Sequence, residues 1–267
     1  MTRKILALTR AVPPSISRCE LTHLAREPID YARAVAEHGQ YEAALTRLGC
    51  RVERLPDAPE LPDSVFVEDA AVVFDEIAVI ARPGAASRRP EVDAMAAALG
   101  TRRPLAFIEA PGTLDGGDVL VTPGRVFAGI SGRTNVDGAR QLAAFVAPHG
   151  FEVVAVPVAG CLHLKSAVTA VSLPPSGGRT MLVLNPAWID RSHFDGFDVI
   201  DVDPLEPAAA NVLSIGGSVI CAADHPRTRA RIEARGLVTH AVPAGELAKA
   251  EGGVTCCSLL LRGAGGS

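Results

Sequence analysis

The chain has 267 residues, 48% of them hydrophobic and 21% charged, which is enough for a buried core and excludes a disordered chain. Aromatics make up 4%, and 26 basic against 30 acidic residues leave a formal charge of −4 with no basic stripe, which argues against nucleic-acid binding. No apolar run reaches membrane-spanning length, and the opening MTRKILALTRAV reads as a first strand rather than a secretion signal, so a soluble cytoplasmic protein of one domain over residues 1–267 is expected.

In chain order, KILALT (4–9) reads as a strand, residues 29–49 as a long helix, and RVERL (51–55) as a second strand. AVVF, IAVIA, a helix in PEVDAMAAALG and the strand PLAFI follow. VLVT and RVFAGI then flank Pro123-Gly124 as a hairpin, a helical pattern stops at Gly150, and FEVVAV reads as a third strand. A third such unit has a longer turn at PPSGGR (174–179). A fourth runs through NVLSI, SVICA, a helix in PRTRARIEARG and LVTHAV, and CSLLL closes the chain as a lone strand.

Five apolar runs are led by a polar residue: Asp69, Asp118, Ser166, Asn211 and Cys256, spaced 49, 48, 45 and 45 residues apart. A near-constant period of this length indicates a repeat architecture. Four strand–strand–helix–strand units, with a fifth completed by the N-terminal strand, helix and strand beside the last strand, would make a closed α/β ring with few exposed sheet edges. An open sheet of separate α/β units is the alternative. In the ring, the leading polar residues converge on a central channel.

The six cysteines, at 19, 50, 161, 221, 256 and 257, contain no CxxC, so neither a zinc site nor a redox pair is expected. Four clusters could carry chemistry. Asp63 precedes the neighbouring pair Glu68 and Asp69; on a strand the pair would face opposite ways, and a buried carboxylate needs a cation such as a guanidinium. In isolation such a pair is more often solvated. Asp115-Gly116-Gly117-Asp118 suggests a tight turn that aims each carboxylate separately, though an ordinary turn has the same composition. His163 becomes catalytic only with a thiol and a carboxylate partner. Cys256 and Cys257 follow paired glycines, and strand alternation puts them on opposite faces without choosing between them. Arg88 and Arg133 lie in loops where they could clamp a carboxylate or remain solvated.

The motifs FVEDAAVV, RPGAASRR, TLDGGDVLVT, SGRTN, LHLKS and TCCS, in this order, resemble the dimethylarginine dimethylaminohydrolases, from Arg10 to Leu261. The resemblance implies the pentein fold, a five-bladed α/β propeller of ββαβ units, and hydrolysis of asymmetric dimethylarginine or monomethylarginine to citrulline and an alkylamine with no cofactor and no metal. It makes Cys256 the nucleophile, His163 the general acid and base, and Asp115 the acid that orients the histidine. It matches Glu68 and Asp69 to the substrate guanidinium and Arg88 and Arg133 to its carboxylate. Asp63 and the carbonyls of Leu21 and Ala250 match the α-amino pocket, and residues near 15–27 match a lid. A small-molecule substrate and a monomer or homodimer are expected. An arginine deiminase-like hydrolase and a non-catalytic protein that binds a cationic amino acid are the rival readings.

Overall fold

A computed structural model describes residues 5–172 and 179–262; most of the turn expected at 174–179 lies outside them. β1 (Ile5–Thr9), α1 (Tyr31–Arg47) and β2 (Cys50–Arg54) open the chain. The Asp30 side chain accepts the Arg33 N–H and so caps α1. Next come β3 (Ala71–Val73), β4 (Ala78–Ile80), α2 (Val92–Gly100) and β5 (Leu105–Phe107). The second unit is β6 (Val119–Thr122), β7 (Arg125–Ile130), α3 (Val136–Val146) and β8 (Glu152–Pro157). The third is a one-turn α4 (Leu164–Ala167), β9 (Val168–Ser172), β10 (Met181–Leu184) and β11 (Asp198–Asp201). The fourth is β12 (Leu213–Ile215), β13 (Ser218–Ala222), α5 (Pro226–Glu233) and β14 (Val238–Val242). The short α6 (Gly245–Ala248) and β15 (Leu259–Arg262) end the described chain.

These strands form five three-stranded sheets with one pattern. The inner strand runs antiparallel to the middle strand, and the middle strand runs parallel to the outer one. The fifth sheet, β15-β1-β2, keeps the pattern with strands from both ends of the chain, as the split repeat predicts. Apolar side chains fill the space between successive blades. Leu8 and Leu259 pack with Ile80 and Met95, Val72 and Val79 with Val119 and Leu142, Phe127 with Leu182, Val183 with Val219, and Ile220 with Ala7 and Leu45. Each sheet is too small to bury its own faces, so a neighbour on both sides is required and the ring closes.

Two expectations change. The third blade has no long helix; a single 3-10 turn, Arg191–Phe194, joins β10 to β11. Pro186 lacks an N–H to donate, and the Asp190 carboxylate takes the Ser192 N–H into a local turn instead. The leading polar residues also do not begin strands. Glu68 and Asp69 lie on a 3-10 turn (Val67–Ala70), Asp118 on another (Gly116–Asp118), and Ser166 on α4. Three residues per turn separate neighbours by about 120°, so Glu68 and Asp69 both enter the interior, where strand alternation would have sent one out.

Those turns hold the blades together at the channel. Asp69 Oδ1 accepts from Gly117 N at 2.9 Å, and Asp118 Oδ1 accepts from Leu164 N at 2.9 Å. Asn211 Nδ2 donates to Lys165 O at 3.1 Å, while its Oδ1 accepts from Thr255 N at 3.0 Å. Glu68 N donates to Cys256 O at 3.1 Å and completes the circuit. Asn211 thus joins three blades. Asn211→Ala is expected to lower stability by about 1–3 kcal/mol in urea unfolding, because it orphans the Thr255 N–H and the Lys165 carbonyl; an unchanged midpoint would contradict the role given to the circuit.

Candidate active site

A recess at one end of the channel is lined by residues from several blades, including Asp63, Asp69, Arg88, Arg133, His163, Ala250 and Cys256. Cys256 lies in the turn between α6 and β15, half-buried, and its Sγ accepts from Gly253 N at 3.3 Å. Cys257 is buried in the apolar core of the fifth blade. Cys256 thus reaches the recess while also packing against that core, and Cys257 lies within it. Burial, with Glu68 and Asp69 close by, pushes the Cys256 thiol up to about 12.

His163 stands between two carboxylates, with Nε2 3.1 Å from Asp115 Oδ2 and Nδ1 3.7 Å from Asp69 Oδ1. Asp115 is held in turn by Gly84 N, which donates to its Oδ1 at 2.9 Å. Only glycine fits at 117, because a Cβ there would come within 2.6 Å of His163 Nδ1 and 2.7 Å of Asp69 Oδ1. Burial opposes the charge on His163, but Asp69, Asp115 and Asp118 outweigh it and raise the imidazole to about 9. Burial likewise works against the Asp69 anion, but His163 and Arg88 hold its carboxyl at about 2. Asp118, buried behind the histidine, is raised by that burial to about 6.

The other expected residues differ in how free they are. Glu68 is fully engaged: Lys165 Nζ donates to Oε1 at 2.5 Å and Thr255 Oγ1 to Oε2 at 2.7 Å. Its carboxylate faces the larger central cavity beyond the recess, which Lys165 and Thr255 also line. Arg88 is buried among acceptors, with Nη1 on Asp69 Oδ2 at 2.6 Å and Nε and Nη2 on the two Glu91 oxygens. Arg133 Nη2 donates to Thr22 Oγ1 at 3.2 Å, while the buried Nη1 has no hydrogen-bond acceptor and lies 3.9 Å from Asp115 Oδ2. Both Asp63 oxygens accept from Glu20 N in the 15–27 segment. Ala250 lines the recess; Leu21 packs half-buried against the fifth-blade core beside it.

Lys165, Thr255, Glu91 and Glu251 complete this arrangement and were not among the sequence candidates. Glu91 alone had a local signal, a carboxylate three residues after Arg88. As to metals, donor atoms of Asp69, Asp115 and His163 lie within 4.8 Å of one another. In this structure those donors are engaged with one another and with Arg88 and Arg133.

A five-bladed α/β ring with a thiol, an imidazole and paired acids at its channel places the molecule among the penteins. No model of a known protein family matches the chain. It is 41% identical over 260 residues to the N(G),N(G)-dimethylarginine dimethylaminohydrolase of Streptomyces coelicolor, covering 96% of both chains. To the Pseudomonas aeruginosa enzyme of the same name it is 34% identical over 232 residues, covering 86% of this chain and 89% of that one. A solved structure of the Pseudomonas aeruginosa protein, a cysteine-to-serine mutant complexed with citrulline, superposes with a TM-score of 0.88 at 32% identity, covering 98% of this chain and 100% of that one. The N-terminal domain of ArgZ, an arginine dihydrolase from cyanobacteria, shares the fold with a TM-score of 0.85 at 20% identity over 97% of this chain and 98% of that one. The chain belongs to the dimethylarginine dimethylaminohydrolase family.

His163 is expected to titrate near 9 when its ring protons are followed by NMR, and Asp115→Asn to lower that midpoint. Because the folded value lies above the ordinary 6.5, its contribution to stability is present below about 6.5 and is lost as pH rises through about 9. A midpoint at or below 6.5 would contradict the carboxylate cage.

Proposed function

We propose that the chain is a single-domain cysteine hydrolase that converts asymmetric dimethylarginine, and monomethylarginine, to citrulline and the corresponding alkylamine without a cofactor. The observation that carries this reading is the pairing, in one recess, of the Cys256 thiol with a caged His163 and an arginine that has a free donor. Among the described residues no helix is long and apolar enough to cross a membrane, and we take the enzyme to be cytoplasmic, as a monomer or homodimer.

The order of proton transfers follows from the charges. With the thiol at about 12 and the imidazole at about 9, the empty site at neutral pH holds a neutral Cys256 and a cationic His163. His163 is already protonated, so it cannot take the thiol proton. A guanidinium bound against Asp69 places a positive charge beside Sγ, offsets the negative potential of Glu68 and Asp69, and lets the thiol release its proton to solvent. The thiolate then attacks the guanidinium carbon. His163 gives its proton to the departing dimethylamine as the C–N bond breaks, which leaves a thiouronium on Cys256. Neutral His163 next takes a proton from water as that water attacks the carbon. The C–S bond breaks as the new hydroxyl becomes the citrulline carbonyl, the proton it loses restores the Cys256 thiol, and citrulline leaves.

Asp115 fixes the imidazole in this cycle. Glu68, held by Lys165 and Thr255, and Asp69 receive the guanidinium, and Arg88, held by Asp69 and Glu91, lines the recess for the substrate carboxylate together with Arg133. Arg133 meets the substrate carboxylate through Nη1. Asp63 and the carbonyls of Leu21 and Ala250 receive the α-ammonium.

Wild-type protein is expected to release dimethylamine and citrulline in equal amounts from dimethylarginine, and Cys256→Ser to lose about 10⁴-fold in turnover or more. Undiminished turnover by Cys256→Ser, or a trapped adduct on Cys257, would sink the mechanism. Ammonia from arginine in preference to dimethylamine would favour a deiminase, and ligand recovered unchanged a binding protein.

A further inference from the structure

The 15–27 segment is tied down by an unusual fixture. The Glu251 carboxylate accepts three consecutive backbone N–H groups, from Thr22 at 3.0 Å, His23 at 2.5 Å and Leu24 at 2.7 Å. These contacts join positions 227 to 229 residues apart. Glu251 itself has φ +58°, and it is the one non-glycine residue with positive φ among the described residues. A side chain disfavours that conformation, so the backbone here is held by its surroundings rather than by local preference. Glycine would fit more easily, yet glycine has no carboxylate to reach the segment.

The position of the latch gives it a consequence. Leu21 immediately precedes the three N–H groups, and Ala250 immediately precedes Glu251. The carbonyls of these two flanking residues are the ones assigned above to the substrate α-ammonium. One carboxylate therefore sets the spacing between two backbone segments that must converge on a single ligand group. The same segment is stapled twice more to the recess, by Glu20 N on Asp63 and by Arg133 on Thr22 Oγ1.

We infer that Glu251 is a positioning residue for the reaction: by gripping the Thr22–Leu24 amides it holds the lid segment over the recess and fixes the α-ammonium pocket formed by Leu21, Ala250 and Asp63. This rests on the function proposed above for the pocket, although the latch itself does not. Glu251 lines the recess, but both its carboxylate oxygens are taken up by the Thr22–Leu24 amides, so its contribution falls on amino-acid binding and not on the chemical step.

The test is Glu251→Gly, which relieves the backbone while deleting the latch, with Glu251→Gln, which keeps one acceptor oxygen, as the conservative partner. Hydrogen exchange on the ligand-free proteins reads the latch without any activity. The Thr22–Leu24 amides should exchange faster in the glycine variant and at an intermediate rate in the glutamine variant, while protection in the five sheets stays unchanged. In turnover, the glycine variant should raise KM for dimethylarginine by about tenfold with a much smaller change in kcat, and glutamine should restore part of it. Unchanged exchange at Thr22–Leu24 would overturn the latch. Faster exchange with an unchanged KM would overturn the positioning role. A loss of protection across the sheets would make Glu251 a structural residue and also overturn it. If wild-type protein turns over no dimethylarginine, the functional reading fails while the exchange result still judges the latch.

Discussion

Each blade of the ring is bound to the next by a polar contact at the channel end of its first strand. The one-turn helices there leave backbone N–H groups without partners inside the helix, and a buried N–H must be satisfied. Asp69, Asp118 and Asn211 do this for the neighbouring blade. The chain thereby places carboxylates deep in the channel for a structural reason, and the catalytic environment is built on that placement. Asp69 shows the double use. The oxygen that satisfies Gly117 N is also the one nearest His163 Nδ1, and its other oxygen fixes Arg88.

The charge balance of the channel follows from this crowding. Asp63, Glu68, Asp69, Glu91, Asp115 and Asp118 are all buried, against Arg88, Arg133 and the largely buried Lys165. Burial raises Asp118 to about 6 and, with the nearby Glu68 and Asp69, suppresses ionisation of Cys256, while the surplus of acid holds the His163 proton. On the proposed mechanism such a site is idle when empty, with Cys256 protonated and the His163 acid loaded. In that mechanism a cationic ligand corrects the imbalance, so the charge proposed to select a guanidinium would also activate the thiol. A neutral amide would bring no such correction, which separates this site from that of a generic cysteine amidase.

How much of this was legible in sequence depended on distance along the chain. The ring was readable because every blade repeats a polar residue ahead of an apolar run, and the split fifth blade followed from the unmatched strands at the two ends. The one-turn helices were not, because three or four residues carry too little periodicity to distinguish from a strand start, and the third blade lost its helix to Pro186 and Asp190. The motif resemblance alone points to Cys256 rather than Cys257; in the structure Cys256 lines the recess and Cys257 is buried in the apolar core. The partners of Glu68 lie 97 and 187 residues away in sequence, so no local pattern could disclose that its carboxylate is already occupied.

The rigid and movable parts of the site divide according to what they bind. Asp69, Asp115 and His163, the groups proposed for the guanidinium end, are held by hydrogen bonds within the ring, and a reacting group has to be fixed to about half an ångström to be effective. The groups assigned to the amino-acid end are different. Asp63 and Arg133 currently hold the lid segment through Glu20 N and Thr22 Oγ1, and Glu251 holds it through three amides. A substrate must pass this segment and then share those groups with it. An α-ammonium would suit Asp63, whose carboxyl is raised by burial in the empty site, and a carboxylate would suit Arg133 Nη1, which has no hydrogen-bond acceptor. On the proposed assignments, binding at the amino-acid end would draw on the contacts that hold this segment, while the guanidinium end would meet a surface that has no need to move.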